Sequence, residues 1–175
     1  FIVSGLTLFV KLIAKILFSK DFYGAWVYAP TLMFASMFMI LSGFLGTIYT
    51  SSKKTKMVFY STVIGAVFNI ILNYILIKTT GIQGAAVATL VSQAIIWVIR
   101  AYDSQKILKL DVKWHIHVLC FILIGIEIYI MCANFMCSIW ISAVIVLVLA
   151  LINRSIIEEI ILIMKRITKK LGRKA

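Results

Sequence analysis

Two lysines and one glutamate stand in runs otherwise almost free of charge. Lys11 and Lys15 lie one helical turn apart inside Phe1 to Phe18, and Glu127 interrupts Trp114 to Ala133. A charge held at the centre of a bilayer costs about 2.5–3.5 kcal/mol on insertion scales. Each group must therefore meet water, an anion or a counter-charge. At a rise of about 1.5 Å per residue, Lys15 lies roughly 4–5 Å from the helix end near Phe18, within reach of the interface. Lys11 and Glu127 each fall roughly 10 Å from the nearer ends of their helices. Three readings stay open. Lys11 and Glu127 form an ion pair; or Lys11, with Lys15, faces a bound anion while Glu127 is a proton or cation site coupled to transport; or Glu127 snorkels alone.

Asn69 and Asn73 extend a row, Ser61, Gly65, Asn69 and Asn73, that repeats every four residues and so stacks on one helix face. They are candidates for bonds to a neighbouring helix or for contact with a hydrated cavity. In the next apolar run Gly84, Ala88 and Ser92 form one small-residue row, with Gly81, Ala85 and Thr89 beside it. Small residues at this spacing let helix backbones approach where lipid gives no hydrophobic drive to association. Gly65, Gly84, Ala88 and Ser92 therefore predict a packed antiparallel hairpin turning at Lys78 to Gly81.

The remaining reactive side chains point away from catalysis. His115 and His117, at spacing i,i+2, fall on different helix faces, which suits interfacial anchoring beside Trp114 and not a shared metal. Cys120, Cys132 and Cys137 show no CxxC or Cys/His ligand spacing and read as small apolar filler, although Cys132 and Cys137 flank a turn tight enough for a disulfide. No nucleophile–base arrangement, phosphate loop or carboxylate pair occurs. The expectation is a non-enzyme with no metal and no cofactor.

The elements that must position these residues are set by composition. The 175 residues are 63% hydrophobic and 14% charged with a single proline, against about 45–50% and 25% for soluble domains. A water-soluble globule is excluded. Six apolar runs are marked at 1–18, 28–49, 57–77, 82–99, 114–133 and 136–153, each read as a spanning helix. Stretches such as Val144 to Leu149 do not alternate, so a β-barrel is excluded. The fold class is an all-α polytopic membrane protein. Of the 18 basic residues, 14 fall in the segments 51–56, 100–113 and 154–175, while Lys20 and Lys78 mark the opposite loops. By the positive-inside rule those three segments are cytoplasmic, the C-terminus with them. The net charge of +12 is thus a topology signal, and no basic groove for nucleic acid is present. The tail 154–175 sets Ile156, Ile160, Ile163, Ile167 and Leu171 on one stripe among basic residues, predicting an interfacial helix against anionic lipid. Phe1 lies inside an apolar run, and the expectation is that a further N-terminal part lies outside this sequence.

Four phrases in order, FSKDFYGAWVYAP, LGTIYTSSKKTK, STVIGAVFNIILNYILI and GIQGAAVATLVSQ, fall within the stretch Phe18 to Tyr102. This stretch resembles the second half of a lobe in polysaccharide-biosynthesis flippases of the multidrug/oligosaccharidyl-lipid/polysaccharide exporter superfamily. Lys20 stands where Gly-Lys is more typical. The resemblance implies that 1–102 holds the last four helices of the C-terminal lobe in a 12–14-helix, two-lobe flippase, that 103–153 is the additional helix pair, and that 154–175 is the cytoplasmic tail. It implies alternating access, a missing N-terminal lobe as partner and a lipid-linked (polyprenyl-pyrophosphate) oligosaccharide as cargo in the cell membrane. Lys11 and Lys15 are candidates for the pyrophosphate or sugar-acid contacts on charge and depth. Competing expectations are an ion-coupled multidrug exporter of the same superfamily, a membrane-embedded glycosyl- or acyltransferase, and a non-transporting scaffold.

Overall fold

The computed structural model describes residues 2–109, 114–133 and 138–154, and every regular element among them is helical. In chain order these are α1 (Ile2–Leu8), α2 (Val10–Leu17), a 3-10 segment (Lys20–Val27), α3 (Ala29–Ser51), α4 (Lys56–Thr80), α5 (Ile82–Ser104), α6 (Trp114–Cys132) and α7 (Ser138–Ile152). The tail 155–175, Cys137 and Asp111 lie outside the described residues, and the expected amphipathic helix and any Cys132–Cys137 bridge lie there with them.

Helices α3, α4, α5 and α6 are long and apolar enough to cross a membrane. At about 1.5 Å per residue they reach roughly 35, 38, 35 and 29 Å, against a hydrocarbon core of about 30 Å. Among the described residues these four helices meet that length and composition, against six apolar runs in the sequence. The first run is divided, because Phe9 takes φ −95° and ψ 8° between two short helices. The last run gives only the 15 residues of α7, roughly 22 Å.

Helix α4 packs through small residues and exposes its large apolar ones. On α4 only Ser61 and Gly65 are buried, while Phe59, Val63, Ile64, Val67, Ile70 and Tyr74 are exposed. That is the expected surface of a helix facing lipid, where close backbone approach replaces hydrophobic drive. A Cβ built on Gly65 would overlap the Ile96 side chain, and one on Gly84 would overlap the Leu76 carbonyl and Thr80. Ala88 and Ser92 are buried at the same α4/α5 contact face. The reversal between these helices is one residue long. Gly81 adopts φ 62°, ψ −138° and donates its N–H to the Ile77 carbonyl at 3.0 Å, a conformation costly for any residue with a Cβ.

On the other side of α5, α3 meets α6 and α7 through Phe34, Phe38, Ile124, Ile128, Ile145 and Leu149. Phe38 packs on Trp97 and Phe121 with centroids 5.5 and 5.1 Å apart, and Trp97 stands edge-on to Phe121 at 5.2 Å. Pro30 sits in the first turn of α3, where its missing N–H costs no helix bond.

Candidate functional site

Helices α1, α6 and α7 converge on Glu127. Its side chain is 0% exposed, and the Ser4 hydroxyl donates a hydrogen bond to its Oε2. Its second oxygen, Oε1, has no hydrogen-bond partner among the described residues, and neither does Ser142 Oγ. Ser4 and Thr7 on α1, with Ser138 and Ser142 on α7, are all buried. Thr7 is committed to the Val3 carbonyl at 3.0 Å. The spacing of Ser138, Ser142, Ile145 and Leu149 puts them on one stripe of α7. The stripe changes from hydroxyl to aliphatic midway, so the polar part lines only one half of the junction. A buried carboxyl group with Ser4 on one oxygen and no partner on the other among the described residues offers a hard oxygen that suits a proton or a small cation.

The depth expected for Lys11 is corrected. Glu127 lies level with Ser4, and Lys11 is seven residues further along the chain, roughly 10 Å nearer the Lys20 end. The equal depths inferred from the two helix ends fail because α2 runs on past the end of α6. Val10 and Ala14 pack there with Met131, one residue before the end of α6, and with Trp26 of the 3-10 segment. The Lys11 ammonium lies 4.6 Å from the Trp26 ring centroid in a cation–π contact. Glu127 therefore takes Ser4 as its partner, not Lys11. Lys15, one turn beyond, is exposed.

Among the described residues, Asn69 and Asn73 bond to each other and not to a neighbouring helix. Asn73 Nδ2 donates to the Asn69 carbonyl and to Asn69 Oδ1, each at 2.9 Å. The amides pair within α4 because i,i+4 spacing brings them together before any neighbour does. Both are half-buried.

The most heavily bonded polar group among the described residues is Arg100, the first residue of the basic segment 100–113. Arg100 lies inside α5, which continues to Ser104, and is 6% exposed. Its guanidinium donates from Nε to Ser61 Oγ at 2.9 Å, from Nη1 to the Ser42 carbonyl at 2.9 Å, and from Nη2 to Thr62 Oγ1 at 2.8 Å and the Val58 carbonyl at 3.2 Å. Gly46 makes room, since a Cβ there would stand 3.4 Å from Nη1. Tyr49, wholly buried, donates its hydroxyl to Asp103 Oδ2 at 3.1 Å and lies 3.2 Å from the Arg100 carbonyl. One planar fork thus ties three helices at their basic end. The signal in the sequence is the small and hydroxyl set Ser42, Gly46, Ser61 and Thr62, which surrounds the fork.

Lys53, Lys54, Lys56 and Lys106 line one recess with Tyr49 and Asp103, so the basic segments 51–56 and 100–109 share one end of the helices. His115 and His117 are exposed at the start of α6, with His117 6.5 Å from Phe121. Cys120 and Cys132 are free thiols. Cys132 lies 3.3 Å from the Val27 carbonyl, and Asn153 Nδ2 approaches Cys120 Sγ at 3.7 Å. No group of three or more His, Cys, Asp or Glu that would hold a metal occurs among the described residues.

No family model matches the chain, and no solved structure matches it. The chain is similar to an uncharacterized membrane protein of Methanocaldococcus jannaschii, 34% identical over 125 residues. The match covers 67% of this chain and 23% of that protein. The chain therefore spans about a quarter of the length of the relative it matches.

Proposed function

We propose that the chain forms part of a transporter that carries a lipid-linked oligosaccharide across the cytoplasmic membrane by alternating access. The observation that carries this reading is the order of the four phrases between Phe18 and Tyr102. FSKDFYGAWVYAP covers the 3-10 segment and the start of α3; LGTIYTSSKKTK makes the α3–α4 reversal; STVIGAVFNIILNYILI is the body of α4; and GIQGAAVATLVSQ opens α5 at its one-residue turn. A sugar and pyrophosphate head cannot enter hydrocarbon unaided, so the cargo needs a polar path supplied jointly with the remaining lobe that the resemblance implies.

In this reading the basic end faces the cytoplasm, and the end bearing Lys20 and Lys78 faces outward. Lys11, held against Trp26, and Lys15 offer ammonium groups to the cargo's anionic head at the outer mouth. Asn69 and Asn73 present amide edges on α4. Glu127, with Ser4, is the site at which a proton or cation couples to the cycle. Its burial between three helices also supports the second reading, an ion-coupled multidrug exporter.

Deleting the gene in its host and restoring it on a plasmid tests the proposal. Loss of surface polysaccharide with accumulation of the lipid-linked intermediate is the expected result. Restoration with Lys11→Ala is expected to leave protein level unchanged and to lower export. Loss of drug resistance with intact glycan would select the multidrug reading, and accumulation of an incomplete glycan would select a transferase.

A further inference from the structure

At the basic end, the α3–α4 reversal and the last turn of α5 enclose a recess of about 550 Å³. Lys53, Lys54, Lys56 and Lys106 line it, and the acid beside them is Asp103. That carboxylate is already engaged, by the Tyr49 hydroxyl at 3.1 Å and by Lys106 Nζ at 3.1 Å. It leaves Lys53, Lys54 and Lys56 without a carboxylate partner among the described residues.

The backbone adds to the positive field. Helix α4 opens at Lys56 with no side-chain cap from Thr55 and no acid in its first turn, so its dipole end and first amides face the same side as the lysines. The loop is held in place by two bonds that end α3, from Lys54 N–H to the Tyr49 carbonyl at 2.9 Å and from Lys53 N–H to the Thr50 carbonyl at 3.1 Å. This closing pattern places Lys53 at φ 56°, where glycine is usual. Tyr60 and Met57 form an apolar lip to the recess, and the exposed α4 face, Phe59, Val63, Ile64 and Val67, continues from it along the helix.

We propose that this recess binds the phosphate group of an anionic lipid, with the acyl chains lying on the exposed face of α4. Lysine ammonium groups and free helix amides suit a phosphate oxygen set, and the adjoining apolar face favours a lipid as the source over free phosphate. The site is built from residues other than 154–175 and stands without the transport reading.

The test places the chain in phosphatidylcholine nanodiscs with or without phosphatidylglycerol, and counts retained lipid by native mass spectrometry. Each lysine near an anionic surface is worth about fivefold in affinity. Lys54→Gln with Lys56→Gln should weaken phosphatidylglycerol retention about 25-fold, and Lys54→Arg with Lys56→Arg should keep it. Removing two lysines at the other end, Lys20→Gln with Lys78→Gln, should leave it unchanged. A parallel arm measures protection of Lys54 from amine acylation in detergent. Protection by phosphatidylglycerol alone assigns the phosphate to a lipid, and equal protection by inorganic phosphate assigns it to the free ion. Equal retention of phosphatidylcholine and phosphatidylglycerol, or equal loss in the two double variants, overturns the site.

Discussion

Replacing Arg100 separates two opposing terms at the junction of α3, α4 and α5. The guanidinium makes four hydrogen bonds of 2.8–3.2 Å to Ser61, Thr62, Ser42 and Val58. Interhelical polar bonds in membrane bundles average about 0.6 kcal/mol and reach about 1.7, so the four together stabilise by roughly 2–7 kcal/mol. Against this stands the cost of keeping the charge 6% exposed, several kcal/mol before pairing. Removal of the fork should leave Ser61 and Thr62 hydroxyls facing an emptied pocket, and the net loss for Arg100→Ala should be about 3 kcal/mol. Arg100→Met keeps the stem and its packing while losing every bond, so it should lose about 2 kcal/mol. Arg100→Lys carries three donors on one nitrogen and cannot reproduce the fork; it should fall between Met and wild type. Reversible unfolding in mixed detergent micelles, followed by circular dichroism, reads all three. If Arg100→Met equals or exceeds the wild type in stability, burial outweighs the bonds and the clamp is refuted.

Gly65→Val should separate α4 from α5 by forcing its side chain into Ile96, costing about 1–3 kcal/mol in the same unfolding assay; Ile96→Ala in the same chain should restore part of it. Glu127→Gln keeps an oxygen for the Ser4 hydroxyl, so it should leave the fold intact, and under the proposed coupling role it should abolish the ion dependence of export measured against an imposed gradient. Ion-dependent export at the wild-type rate by that variant would remove Glu127 from coupling. Single cysteines at Lys54 and Lys106, which line one recess, should be labelled by an impermeant maleimide from one side of the membrane, and one at Lys78 from the other.

Helix positions were largely legible because lipid imposes one rule on every backbone group. The runs 28–49, 57–77, 82–99 and 114–133 differ from α3, α4, α5 and α6 by a few residues at their ends. The small-residue rows located the α4/α5 contact for a related reason, since Gly65 and Gly84 have no substitute at that distance. Three features escaped. Arg100 looked like the first residue of a loop because hydropathy registers a charge and not the oxygen atoms that surround it. The three readings of Glu127 could not be separated by depth measured from each helix end, because the offset between α2 and α6 is a tertiary fact. Asn69 and Asn73 had the right spacing to face a neighbour, but the same spacing lets them satisfy each other first.

The single-residue reversal at Gly81 bears on how the two helices sit in a bilayer. The 25 residues of α4 and the 23 of α5 leave only that glycine between them, so the link that joins them is one short turn with Lys78 as its charge. The short link keeps the two rods side by side along their small-residue faces once both are in lipid, and a residue with a Cβ at Gly81 would strain the reversal that holds them there.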